Sequence, residues 1–388
     1  MSGNVNKEVL YEGFEQGPIR PPSEASSLLV RITRNCPWNR CTFCPVYKNR
    51  HFSLRPVDHV LKDIDAVGRH ADALRKFMKR SEGLTRGALE SISEGVSAEE
   101  RPAFNAALNW AVGGMSSIFL QDANSLIIKP DDLVTILRHI RDRFPWVERI
   151  TSYARSHTVA RIGQEDLGRI AEAGLSRLHI GMESASDKVL EQIRKGTDKA
   201  AQIAAGLKVK SVGMELSEYV MPGIGGVAFS REHALETADA LSQINADFIR
   251  LRTLAIPNHV ELYQDFSSGK FEKCNDRMMA EEILLFIDSL DGITSTLRSD
   301  HILNLFEDVE GTFPADRGKM TGILNQFLNM PPEEQILYQV GRRAGFFSSL
   351  NQMSDPSRRS QAASTCARLG VTAENVDGMV GEMMKRFI

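Results

Sequence analysis

The chain has 388 residues, more than one hydrophobic core usually holds, so one large domain with an appendage, or two domains, is expected. A net charge of −3, with 42% hydrophobic and 25% charged residues, is ordinary for a globular protein and excludes a polyelectrolyte that binds nucleic acid by bulk charge. No apolar run approaches the ~18 residues of a membrane span, and the polar start MSGNVNKEVLYEG is not a signal peptide, so the chain reads as cytoplasmic.

Residues 1–27 are polar and carry Pro18, Pro21 and Pro22, which fits an extended lead-in and not a domain. The apolar run Leu28, Leu29, Val30, Ile32 predicts a first strand. Directly after it, Cys36, Cys41 and Cys44 make C-x4-C-x2-C on a loop. A loop is free to turn three thiolates toward one inorganic centre, whereas cysteines on one strand alternate faces. Two chemistries suit them. A structural zinc needs four ligands, and Cys36 and His51 stand nearest to completing the Cys41–Cys44 pair. The other is an iron–sulfur cluster on three thiolates with one iron open. A cytoplasmic setting favours metal or redox chemistry over disulfides for such a cysteine set. Cys274 and Cys366 stand alone and read as small buried hydrophobes.

Val57, Val60, Leu61, Ile64 and Val67 recur at helical period after Pro56 and Asp58. Residues from about 69 to 112 then read as an inserted helical elaboration, rich in Glu, Ser, Arg and Ala over 81–110. Five further strand–helix alternations follow. The second strand, Ile118–Leu120, ends in Gln121, Asp122 and Asn124; the third, RITSYARSHTV, carries Ser152 and Arg155; the fourth, LSRLHIGMESAS, ends at Glu183. VGMELSEYVMPGIGG is the fifth and DFIRLRTLAIPN the sixth. Alternation of this kind implies parallel strands with right-handed crossovers, an α/β fold built as a partial (β/α)6 barrel over about 28–290. In such barrels chemistry collects at the C-terminal ends of strands, where the polar residues named above fall. Beyond about Leu290 the pattern reads as a helical C-terminal domain, 291–388.

With these segments in place, the cysteine loop, including Phe43 just before the last cysteine, resembles the cluster loop of the radical S-adenosylmethionine (SAM) enzymes. The usual spacing there is C-x3-C-x2-C, one residue shorter between the first two cysteines. HIGMESASDKVLEQIRKG is similar to the G-x-E-S-x-S-x-x-V-L-x-x-x-x-K-G segment of radical SAM enzymes of the methylthiotransferase and oxygen-independent coproporphyrinogen oxidase type. The resemblance implies a [4Fe–4S] cluster on Cys36, Cys41 and Cys44, and a SAM site in which Glu183 takes the ribose hydroxyls. It implies that Gln121 and Asp122 meet the methionine amino group, although the Gly-Gly-Glu usual there is absent. It further implies that Ser152 and Arg155 face the cofactor, with Arg155 suited to the carboxylate, and that Phe43, Leu254 and Ala255 belong to the same site. VMPGIGG resembles the glycine-ended fifth strand that lets backbone approach adenine. The tail RSDHILNL…GTFPADRGKM resembles that of cobalamin-type members, yet 27 residues before the first strand cannot build a cobalamin domain, so tight cobalamin binding is not expected.

The function implied is reductive cleavage of SAM to methionine and a 5′-deoxyadenosyl radical that takes hydrogen from a small-molecule or lipid substrate, with an external one-electron donor of flavodoxin or ferredoxin type. Catalytic residues beyond the cofactor site are not indicated. Modification of tRNA is the weaker enzymatic alternative, because neither a basic run nor an appended RNA-binding module is present. A zinc-binding protein without activity is the alternative from another class.

Overall fold

In a computed structural model the described residues are 10–80 and 93–387. The fold is α/β, a mostly parallel sheet of eight strands in the order β1-β4-β5-β6-β7-β8-β9-β10 with helices in the connections. These strands are β1 (Leu28–Arg31), β4 (Ser117–Gln121), β5 (Arg149–Ala154), β6 (Arg177–Glu183), β7 (Glu215–Val220), β8 (Phe248–Leu251), β9 (Thr296–Arg298) and β10 (Gly311–Thr312). All six strands expected from the alternation form, each from an apolar or β-branched run. The chain divides into two compact units.

The first unit takes in residues 1–37, 49–178 and 212–214. β1 pairs parallel with β4 from Leu28 against Ile118, and β4 pairs parallel with β5 from Ser117 against Arg149. Ile118, Phe119 and Leu120 of β4 are wholly buried, as a central parallel strand requires. Two short strands, β2 (Thr33–Arg34) and β3 (Ser53–Leu54), pair antiparallel, and all three clustered cysteines lie on the chain between them. The helix expected after Pro56 forms as Val57–Arg80, and Arg101–Val112 is helical as well; the intervening 81–92 lie outside the described residues. Pro130–Arg143 shows why such segments close as helices. Proline opens it, Asp131 and Asp132 sit in its first turn, and Arg141 and Arg143 in its last, matching the helix dipole at both ends. Trp110 packs edge-on to Phe144 at 5.1 Å and donates its indole N–H to the Ser117 carbonyl at 2.8 Å, so this large ring is buried without an orphaned donor.

The second unit takes in 38–48, 179–211 and 215–388. β7 pairs parallel with β8, and β8 with β9. Here the structure corrects the expectation that strands end near Leu290. β9 adds a parallel strand with Phe248 opposite Thr296, β10 folds back antiparallel with Gly311 opposite Leu297, and helix resumes only at Arg317. Strands of three and two residues carry no readable alternation, and pairing, of β9 with β8 and of β10 with β9, stabilises them where intrinsic pattern does not. Four helices, Arg317–Leu328, Pro332–Arg343, Pro356–Leu369 and Val376–Met384, make up the C-terminal part. Phe306, Phe327, Tyr338 and Phe347 stack within it, and the Tyr338 hydroxyl donates to the Leu305 carbonyl at 3.1 Å. Cys274 is buried as expected, whereas Cys366, on Pro356–Leu369, is half-buried. Among the described residues no helix is long and apolar enough to cross a membrane.

Candidate functional site

The cysteine segment is built on asparagine turns. Asn35 and Asn39 hold φ of 69° and 47°, the left-handed region that asparagine tolerates better than most residues, and they flank Cys36. From Trp38 onward the chain is pinned by its backbone. The Thr42 N–H donates to the Ile193 carbonyl at 3.0 Å, the Thr42 carbonyl accepts from Leu262 N–H at 2.9 Å, and Asn39 Nδ2 donates to the Tyr47 carbonyl at 2.6 Å. Trp38 donates its indole N–H to the Arg194 carbonyl at 2.8 Å and lies over Gly196, where a Cβ would stand 2.3 Å from the ring. Tyr47 is buried, Lys48 pairs with Glu261 at 3.2 Å, and His51 is exposed with its carbonyl accepting from Asn35 Nδ2.

All five cysteines are thiols outside any disulfide, and Cys36, Cys41 and Cys44 are each partly exposed. In donor chemistry this set fits an iron–sulfur cluster, which takes thiolates. Among the described residues no three of His, Cys, Asp and Glu form a group able to hold a metal ion. Cys41 and Cys44 pack against an apolar cluster that holds Phe43, Val189, Ile193, Met221, Ile224 and Leu254. Phe43 and Leu254 are thereby brought together. Ala255 is not, for it packs instead on Leu303, Val376, Val380 and Met384.

Glu183 ends β6 with φ of 62°, a strained position for a side chain that long. Its carboxylate, 12% exposed, pairs with Lys195 Nζ at 3.0 Å. Gly181 makes the room: a Cβ there would stand 2.4 Å from Glu183 Oε1 and 3.1 Å from Lys195 Nζ. Close to this pair lies Glu218 of β7, which is 1% exposed and whose Oε2 has no hydrogen-bond partner. Burial pushes the Glu218 carboxyl well above the usual carboxylate range, Lys195 pulls it down and Glu183 pushes it up again. Neither Lys195 nor Glu218 is among the residues expected from the sequence: Lys195 stands in the K-G motif, a legible signal, whereas a single glutamate inside a β run gives none.

After β7 the chain turns through Pro222–Gly226. Gly223 and Gly226 have φ of 83° and 61°, and a Cβ at Gly226 would stand 2.7 Å from the Glu272 carbonyl, so both positions need glycine. Ile224 N–H donates to Met221 O at 3.1 Å, Gly226 N–H to Gly223 O at 3.0 Å and Leu254 N–H to Pro222 O at 3.0 Å, which fixes the turn against the end of β8.

In the first unit the strand-end residues form a separate polar network. Gln121 spends its amide on the lead-in: Oε1 accepts from Gly17 N–H at 2.8 Å, and Nε2 donates to the Gly17 and Ile19 carbonyls at 3.1 and 2.7 Å. Asp122, wholly buried, accepts from Arg31 Nε at 2.8 Å and from the Asn35 N–H at 2.9 Å. Arg31 also donates to Glu15 at 2.6 Å, and Arg34 grips the same carboxylate with Nε and Nη2. Burial pushes the Glu15 carboxyl up, but the guanidinium groups of Arg34, Arg55 and Arg31 outweigh it and hold it low. Ser152 is buried and donates back to the Tyr153 carbonyl at 3.1 Å, while Arg155 is half-exposed with its N–H on Asn124 Oδ1 at 3.1 Å.

No family model matches the chain, and no curated protein does. Among solved structures it is similar to coproporphyrinogen III oxidase (HemN) of Escherichia coli, a radical SAM enzyme by its description, at 14% identity over 68% of this chain and 52% of that one, with a TM-score of 0.44. It is similar to methylornithine synthase (PylB) at 12% identity over 71% and 66%, TM-score 0.43. It is also similar to the radical SAM methyltransferase TsrM of Kitasatospora setae, described with cobalamin and a [4Fe-4S] cluster bound, at 12% identity over 87% and 61%, TM-score 0.42. The chain thus spans less than two thirds of the length of each. Likeness at this level does not bear on activity, which rests on the chain's own residues.

Proposed function

We propose that the protein is a radical SAM enzyme. The observation that carries this reading is the set of three partly exposed thiols, Cys36, Cys41 and Cys44, on the segment that follows the first strand of a parallel α/β sheet. Those thiolates would hold a [4Fe–4S] cluster, which, recharged by an external one-electron donor, would supply the electron for reductive cleavage of SAM to methionine and a 5′-deoxyadenosyl radical able to take hydrogen from a substrate.

The chain's residues bind, orient and exclude water. Glu183, held at the end of β6 by Lys195, offers carboxylate oxygens to the two ribose hydroxyls. The Pro222–Gly226 turn, bare of side chains at Gly223, gives the adenine an approach to backbone. Phe43, Met221, Ile224 and Leu254 form an apolar wall beside Cys41 and Cys44 that keeps water from a radical. Gln121 and Asp122 act through the backbone they fix, since their side chains are already engaged. The substrate is a small molecule or lipid, the electron comes from a flavodoxin- or ferredoxin-type donor, and the setting is the cytoplasm. A net charge of −3 gives no support to a nucleic-acid substrate.

Anaerobic reconstitution tests this. Wild type should be brown, with iron and sulfide bound, and should release 5′-deoxyadenosine from SAM under strong reductant. Alanine at Cys36, Cys41 or Cys44 should abolish both, and alanine at Cys274 or Cys366 neither. A colourless, zinc-loaded wild type that forms no deoxyadenosine overturns the reading in favour of a zinc protein.

A further inference from the structure

Behind the glycine turn lies a buried polar chain. Glu282, on the helix Asp276–Ser289, accepts from the Gly223 N–H through Oε1 at 2.7 Å and from the Ser230 hydroxyl through Oε2 at 2.5 Å. His233, on the helix Gly226–Ile244, stands with Nε2 3.6 Å from Glu282 Oε1 and Nδ1 2.9 Å from Ser184 Oγ. Both side chains are 2% exposed. Two neighbours of His233 on its helix hold the same segment after Glu183: Thr237 Oγ1 accepts from Ala185 N–H at 3.0 Å, and Glu232 from the Ser186 hydroxyl at 2.8 Å. Ser184, His233, Glu282 and Gly223 thus make one line from the residue after Glu183 to the second residue of the glycine turn. A charged carboxyl at its centre is costly to bury unless it holds donors in place.

We propose that Glu282 and His233 are positioning residues, tying the Pro222–Gly226 turn to the Ser184–Ser186 segment so that the two hold one fixed spacing. For ligand binding, this inference rests on the reading of those segments as the ribose and adenine sides of a SAM site. Glu282 is the member that titrates near neutrality. Burial pushes its carboxyl up to about 7, against the pull of the Ser230 hydroxyl and the Gly223 N–H. His233 is held down at about 4 by burial, so it is neutral and its Nε2–H faces the carboxylate while Nδ1 accepts from Ser184. From the segment preceding Asp276–Ser289, the Cys274 thiol, pushed up to about 12 by burial and by Glu282, stays uncharged. The carboxylate form holds Gly223 by a charge-assisted bond, and protonation weakens it.

Hydrogen–deuterium exchange on the full chain, corrected for intrinsic rate, tests this at pH 8 and pH 6. Glu282→Ala should speed exchange of the Gly223 amide about tenfold or more at pH 8 while the amides of β7 change little. Glu282→Gln keeps one acceptor oxygen; it should hold most of the protection and lose the slackening that wild type shows from pH 8 to pH 6. His233→Ala should loosen Ser184–Ser186 and Gly223 together. Unchanged Gly223 protection in Glu282→Ala overturns the tie, and so does protection lost across all of 179–251, which marks a bulk structural role. Should Glu282→Ala fail to fold, Glu282→Gln decides, and a pH response equal to wild type overturns it. In reconstituted protein Glu282→Ala should weaken SAM binding about fivefold or more. A wild type that binds no SAM while Gly223 responds as stated keeps the tie and overturns the radical SAM reading instead.

Discussion

Glu183 and its surroundings show how much of this site is decided by single atoms. A carboxylate at a strand end is common, but this one is fixed by Lys195 and by the Cβ that Gly181 lacks. Glu183→Ala is expected to weaken SAM binding about tenfold by calorimetry, the loss of a charged hydrogen-bond partner, with iron content unchanged. Gly181→Ala should do nearly the same without touching the carboxylate, because the new methyl occupies the space of Glu183 Oε1. Affinity equal to that of wild type in both variants would remove Glu183 from the site. Cys274→Ala leaves a small buried void and should cost about 0.5–3 kcal/mol in urea unfolding. The half-buried Cys366 should cost less when changed to alanine, in the same measurement.

At the scale of elements, the lead-in is held by side chains, not by a sheet. Gln121 makes three hydrogen bonds to Gly17 and Ile19, and Asp63 accepts from the Tyr11 hydroxyl at 2.8 Å and from the Glu15 N–H at 3.2 Å. Gln121→Ala should therefore free the lead-in locally, seen as faster chymotrypsin cleavage at Phe14 with little loss of melting temperature. Asp63→Ala should behave differently. It leaves Arg55, 1% exposed and paired with Asp63 at 2.7 Å, as a buried charge lacking that partner, at a cost of about 3–5 kcal/mol by chemical denaturation. A cost within error of zero would mean that Glu15, 3.3 Å from Arg55 Nε, compensates fully.

For the whole molecule, stability against pH follows from groups that burial has moved in opposite directions. His233 and His301 are held at about 4 against an ordinary 6.5, so the unfolded chain binds their protons first and stability falls as pH drops from 6.5 toward 4. Glu282 is raised from 4.5 to about 7, so the folded chain binds its proton first and stability falls as pH rises from 4.5 to 7. Between pH 4.5 and 6.5 the two signs oppose. Glu282→Gln should remove the second slope, leaving a variant whose urea midpoint, relative to wild type, improves as pH rises from 4.5 to 7. A constant difference across that window would contradict the assignment.

The sequence by itself determined the six parallel strands, the helices between them, the three cysteines and Glu183, because each is written as local pattern: apolar runs, helical period, thiol spacing, a residue at a strand end. Its account of the C-terminal part failed at Thr296–Arg298 and Gly311–Thr312, since strands so short owe their existence to pairing, the first with β8 and the second with the first, and not to their own residues. Tertiary structure alone decided that Gln121 and Asp122 spend their side chains on the lead-in and Arg31, and that Ala255 packs away from Leu254. It alone placed Glu218, His233 and Glu282 out of water. Those three lie within strand and helix runs that give each one ordinary polar positions, and only packing against distant segments turns them into buried groups with displaced proton affinities.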